Sequence, residues 1–243
     1  MSIKAAYRAL VGRQIRRVAL LFLAHAVGTA NITLVIALSP SIEASLALGM
    51  AGFGFIISAY YGAMLLLALP VGWVADRFGL KVVLVVAHSL LAIGLWVLTF
   101  ASGLMLAAVA LALCGCGYAF INPATARAVL IWFPAQERAT AMGIKQTGVP
   151  TGGVIAAFIA ATVDADWRMV VLVMATLTAV VGVGYFGLRL AETREHSPVR
   201  FFEMRRLLCL PSLAYFNAGS WICLLYTSPS PRDRGCSRMP SSA

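Results

Sequence analysis

Acidic residues are scarce in this chain. Nine Asp and Glu stand against 19 Lys and Arg in 243 residues, and none of the nine falls in the interior of a long apolar run. Charge of either sign amounts to only 12% of the sequence, whereas hydrophobic residues make up 61%. With a mean hydropathy of +0.89, the chain lies outside the soluble range, where apolar residues reach roughly 45–50%. It reads as an integral membrane protein. Short alternating strands of the β-barrel type are absent, which leaves helices as the spanning elements. Paired intramembrane acids, an HExxH pattern and a well-placed Ser/His/Asp grouping are also missing, and with them the usual equipment of an intramembrane enzyme. The five cysteines are Cys114, Cys116, Cys209, Cys223 and Cys236. Cys114 and Cys116 point to different faces of an apolar helix, so neither a disulfide framework nor a metal site is implied, and no cofactor is expected.

What is present is a series of apolar runs, each near the roughly 20 residues that cross about 30 Å of hydrocarbon. They cover Val18–Leu38, Met50–Val74, Val82–Ala101, Leu104–Phe133, Thr140–Val163 and Met169–Leu190. The first run is followed by others of the same kind, so it is read as a retained span, not a cleaved leader. The expected class is therefore all-α and polytopic. A basic N-terminus covers 1–17, a six-span bundle 18–190, a charged linker 191–206 and the start of a seventh span 207–222.

The net charge of +10 would suggest nucleic acid in a soluble protein, but its distribution argues otherwise. Lys4, Arg8, Arg13, Arg16, Arg17, Arg77, Lys81, Arg138 and the basic residues of the linker all fall on one side if the N-terminus is cytoplasmic. The opposite loops carry Glu43, Asp164 and Asp166, with Arg168 as their sole flanking cation. This asymmetry is that of positive-inside topology. It points to a lipid bilayer as partner, with no nucleic acid involved, and to a multi-pass cell-membrane location, expected to be a bacterial inner membrane.

Composition shifts sharply after Ile222. The strings Cys223-Leu224-Leu225-Tyr226-Thr227-Ser228-Pro229-Ser230-Pro231-Arg232-Asp233 and Ser237-Arg238-Met239-Pro240-Ser241-Ser242-Ala243 resemble translated sequencing-adaptor DNA. Residues 223–243 are accordingly expected to be a non-native tail.

Between the second and third runs lies Gly72-Trp73-Val74-Ala75-Asp76-Arg77-Phe78-Gly79-Leu80-Lys81. This turn resembles the cytoplasmic loop motif of the major facilitator superfamily, G-x-x-x-D-R-x-G-R-[RK], departing from it at Leu80. A second stretch, Gly115 to Gly153, is similar to the fourth span, turn and fifth span of the same superfamily; it includes Asn122-Pro123-Ala124, Trp132-Phe133-Pro134 and Glu137-Arg138. The resemblance implies the N-terminal six-helix half of a secondary transporter, with the C-terminal six-helix half missing. It implies that Gly72, Asp76, Arg77, Gly79 and Lys81 form a conformational latch against that other half. Gly72 and Gly79 would allow close packing and a tight turn.

Several polar side chains lie within the runs and are candidates for a substrate cavity. Lys145 sits one to two turns inside the fifth run, where an unpaired lysine costs on the order of 3 kcal/mol, so it must either reach a cavity or snorkel to the interface. Gln146 follows it, and Gly148, Gly152 and Ala156 continue its face as a stripe of small residues. Arg127 follows Pro123 by four residues and faces the same choice, with an interaction with Glu137 as a further option. In the first run His25, Gly28 and Thr29 share a face while Asn31 points elsewhere. His25 is either a proton carrier or a hydrogen-bonded packing residue. Tyr118 and Asn122 complete the set from the fourth run, and His88 in the third has a weaker claim. Two cations at one depth favour an anionic small-molecule solute. The competing readings are an exporter of amphipathic compounds and a membrane sensor or scaffold without transport. The arginine common in the fourth span of proton antiporters would fall near Leu111 and is not there.

Overall fold

The computed structural model describes residues 3–162 and 166–187, and within them no side-chain description covers 3–11, 68, 69, 73 and 76. The linker 191–206, the seventh-span start 207–222 and the tail 223–243 lie outside the described residues. Seven helices follow one another: α1 (Ile3–Ala37), α2 (Ser39–Leu46), α3 (Gly49–Thr99), α4 (Leu104–Trp132), α5 (Arg138–Gln146), α6 (Gly148–Thr162) and α7 (Trp167–Gly187). No strand occurs among the described residues.

Four of the six expected runs match a long apolar helix or helical arm within a few residues, and five such stretches are long and apolar enough to cross a membrane. The first expected boundary moves: helix α1 already starts at Ile3, so the basic segment 1–17 is largely continuous with the first span. The second and third runs are the two arms of α3. They meet at Gly79, whose φ of 79° and ψ of 165° break the helical path. A positive φ of this kind is accessible to glycine at little cost and disfavoured for any side chain. The loop after the first run contains α2, started by Pro40 in its first turn and ended by Ala47 in the left-handed region.

The fifth run is divided. Its helices α5 and α6 meet at Thr147, because Pro150 has no N–H to give to the Gln146 carbonyl. Neither piece reaches spanning length alone, yet Thr147 keeps helical angles (φ −64°, ψ −16°), so the chain direction carries through.

Small residues set the packing. Helix α4 lies against both arms of α3: a Cβ on Gly115 would collide with the Tyr60 backbone, one on Gly94 would meet the Cys114 sulfur at 2.5 Å, and one on Gly117 would meet the Ala87 carbonyl at 2.6 Å. On the other side, Gly148 and Gly152 of α6 press on the backbone of α1 at Phe22 and Ala26. The small-residue stripe expected after Lys145 is thus the α1–α6 seam, and Ala156 is buried in it as well. Close backbone approach of this sort replaces the hydrophobic driving force that lipid does not supply.

Helix ends are closed by guanidinium groups. Arg138 donates from Nε to the Phe133 carbonyl (3.1 Å) and from Nη2 to that of Leu130 (2.9 Å). Arg17 donates to the Trp132 carbonyl (3.2 Å) and stands 5.3 Å from the Trp132 ring centroid. Together they satisfy the last turn of α4, whose carbonyls have no intrahelical donors and carry the negative end of the helix dipole. Arg168 does the same for α3, donating to the Thr99 and Ala101 carbonyls. Arg168 is therefore a helix cap, and Asp166 beside it caps the start of α7 by accepting from the Arg168 backbone N–H at 3.1 Å.

Candidate functional site

Three side chains from two helices, His25 of α1 with Asn122 and Thr125 of α4, converge around the Lys145 ammonium. Lys145 is only 2% exposed. Its Nζ donates to Asn122 Oδ1 and to Thr125 Oγ1, both at 3.1 Å, and stands 3.4 Å from His25 Nε2. His25 Nε2 lies 2.9 Å from Thr125 Oγ1. Lys145 reaches this position from the last turn of α5, two residues before the Thr147 junction, where Gly148 lets α1 approach to within contact of its backbone. Of the two courses open to it, the lysine takes the inward one.

The proton inventory of the cluster can be worked out. Thr125 has one hydroxyl hydrogen, and at 2.7 Å the Ile121 carbonyl of its own helix accepts it. Thr125 Oγ1 is then an acceptor toward both Lys145 and His25, so His25 carries its hydrogen on Nε2. The other tautomer would bury an Nδ1–H with no acceptor, since Nδ1 has no partner, and buried orphan N–H groups are rarer than orphan acceptors. It follows that His25 does not accept from Lys145. The ammonium has three N–H groups, and two find acceptors. No carboxylate balances its charge from nearby helices, because α1, α4, α5, α6 and α7 contain no Asp or Glu.

The remaining candidates are distributed unevenly around this centre. Thr29 Oγ1 and the Tyr118 hydroxyl are 3.2 Å apart, one turn further along α1 and α4. Gln146 is exposed and outside the cluster. Arg127 does not join Lys145 in a two-cation site: its Nη1 donates to the Ala75 carbonyl at 2.6 Å, near the charged turn that ends the first arm of α3. Pro123 on the same helix does not turn it toward Lys145. Asn31 faces α7, where it meets the Thr178 hydroxyl at 3.0 Å, as expected of its separate face. His88 is a packing residue, fully buried, with Nδ1–H donating to the Leu84 carbonyl at 2.9 Å and its ring 5.0 Å from that of Tyr185.

At the charged turn, Gly79 supplies the bend. Among the described residues nothing lies within 4 Å of a Cβ placed on Gly72. Lys81 lies 4.8 Å from the Phe186 ring centroid, tying the start of the second arm to α7. The Asp76 side chain lies outside the described residues. Sequence reasoning missed Thr125, which coordinates the cluster. It lies three residues after Asn122, and its spacing was the available signal.

Comparison with known proteins places these features in a family. The chain is 29% identical over 145 residues to the probable sulfoacetate transporter SauU of Cupriavidus necator, covering 58% of this chain and 33% of that protein. It is 32% identical over 152 residues to the galacturonate transporter of Dickeya chrysanthemi, covering 59% and 42%. It is 29% identical over 169 residues to the hexuronate transporter of Escherichia coli K12, covering 66% and 38%. The matched stretches thus cover between 33% and 42% of the length of these curated relatives. Among solved structures, a bacterial homologue of the human lysosomal transporter Spinster, inward-facing and unoccupied, superposes with a TM-score of 0.65 at 17% identity, covering 76% of this chain and 45% of that one, which shows a shared fold. The model of the Major Facilitator Superfamily matches residues 20–237, running past the compositional boundary at Ile222. The chain is a multi-pass membrane protein belonging to the Major Facilitator Superfamily.

Proposed function

We propose that this chain forms part of a secondary transporter that moves a small organic anion, a carboxylate or sulfonate, by alternating access. The observation that carries the reading is Lys145: a buried ammonium, two of its three N–H groups satisfied by neutral oxygens, and no acid in the helices around it. A buried cation without a counter-ion is costly. An anion arriving in the cavity would supply the missing charge. The relatives named for sulfoacetate, galacturonate and hexuronate transport support the same chemistry.

The cavity is completed, on this reading, by a second six-helix half, and the first arm of α3 supports it. In the most apolar 18 residues of Gly49–Leu67 only 11% are buried, against 56% in those of Gly12–Ala37. The Asp76-Arg77 turn would grip that half in one state of the cycle. The N-terminus is assigned to the cytoplasm of a bacterial inner membrane, on the charge distribution of the loops.

The test is uptake by the full-length transporter in proteoliposomes. Radiolabelled galacturonate or sulfoacetate is expected to accumulate, and Lys145→Gln to abolish it. Movement of a lipophilic cation with no anion uptake would overturn the reading. Residues 1–222 alone are expected to give no flux.

A further inference from the structure

The relatives' names divide between two chemistries, a two-carbon sulfonate and six-carbon sugar acids, and the cation at Lys145 serves either. What lies beyond the cation distinguishes them. Asn122 and Tyr118 are one turn apart on α4, about 6 Å along the helix axis, on the same face as Gly115 a further turn away. Asn122 is exposed, while Tyr118 and Thr29 are half-buried. The Tyr118 ring rests on Gly28, where a Cβ would meet it at 3.1 Å. Behind it stands Tyr60, 1% exposed, its ring centroid 6.4 Å from that of Tyr118. Tyr60 in turn is fixed by the backbone contact with Gly115.

Leading away from the ammonium there is thus a row of neutral hydrogen-bonding groups: the Asn122 amide, the Tyr118 hydroxyl and the Thr29 hydroxyl. It is backed by aromatic rings held in place by glycine contacts. A two-carbon sulfonate would use the cation and at most the nearest amide. A polyhydroxylated chain or ring would use the whole row, with its C–H face against an aromatic wall and its hydroxyls exchanging hydrogen bonds with groups that can both donate and accept.

We infer that Tyr118 and Thr29 form a hydroxyl-recognising subsite that makes this protein selective for sugar acids over short sulfonates. The inference rests on the anion-transport reading above. In it, Lys145 takes the carboxylate and Tyr118 with Thr29 takes the hydroxylated body. The two residues already share a 3.2 Å hydrogen bond, so they hold each other's orientation before a ligand arrives.

The experiment compares galacturonate and sulfoacetate uptake by the full-length transporter, wild type against Tyr118→Phe and Thr29→Val. Each substitution removes one hydroxyl with little change of shape, and size-exclusion profiles report folding. The expected result is a KM for galacturonate raised about tenfold, the loss from one hydrogen bond to a buried site, with any sulfoacetate uptake unchanged. If the hydroxyl-lacking variants change both substrates equally, or leave galacturonate untouched while Lys145→Gln abolishes its uptake, the subsite is refuted and the anion reading stands. If the wild type takes up neither anion, both fall together. Should Tyr118→Phe fail to fold, Thr29→Val carries the same comparison.

Discussion

Gly152 of α6 lies against the carbonyl of Ala26 in α1 so closely that a Cβ on the glycine would fall well inside the 3.0 Å limit of real contacts. The atom it would strike is backbone, which cannot swing aside. Gly152→Ala is therefore expected to lower stability by about 1–3 kcal/mol, the usual cost of overpacking. Thermal unfolding in detergent would show it. Gly184→Ala in α7 is the control, because among the described residues nothing lies within 4 Å of a Cβ there, and it should leave the melting temperature unchanged or slightly raised.

Removing either guanidinium from the end of α4 should destabilise the protein. Arg138→Ala strips two carbonyls of their donors and Arg17→Ala one, each at a cost of about 1–3 kcal/mol for charge-assisted bonds. Lysine should not restore Arg138, because a single ammonium on a flexible stem does not reproduce a planar fork spanning two carbonyls. A melting temperature for Arg138→Lys equal to that of the wild type would contradict this.

Arg168 looks like an exception to the charge asymmetry, but its role is to cap α3. Arg168→Gln is expected to lower the melting temperature while leaving the topology unchanged. Cysteine-accessibility labelling of the loops reads the topology directly. A reversal of orientation on this substitution would show that the residue acts on insertion.

Lys145→Met separates stability from transport. A buried ammonium lacking a carboxylate partner costs free energy that methionine does not, so the variant should melt at or above the wild-type temperature. Anion uptake by the full-length protein should nevertheless disappear. A marked fall in melting temperature would mean that the lysine holds the helices together through Asn122 and Thr125.

Much of the fold was legible from apolar run length, since spanning a bilayer imposes a length that few other demands mimic. Divisions inside the runs were harder to read. Pro150 was visible, but whether a proline kinks, divides or merely loosens a helix depends on what its neighbours supply. Gly79 could be assigned to a turn from its place beside Asp76 and Arg77, whereas the sequence could not say that Gly72 meets no close neighbour among the described residues. At the site, the shared face of His25 and Thr29 followed from helical spacing, whereas the choice of Lys145 between an inward course and snorkelling was open in the sequence and is made by its contacts with Asn122 and Thr125. The separation of Arg127 from Lys145 did not. Depth along a span says nothing about rotation around it, and Arg127 is turned toward the carbonyl of Ala75.

Gly148 has one more consequence. It stands three residues after Lys145 and touches α1 at Phe22, Ala26 and the Cβ of His25, with 2.5 Å left to the Phe22 carbonyl for any added carbon. The interval between the ammonium and the imidazole is thus gauged by main chain against main chain, with no side chain available to yield. One methyl group at position 148 would have to displace α1 or α6, and with it the interval between Lys145 on one side and His25 on the other, so the dimensions of this polar cluster are set by a residue that carries no side chain.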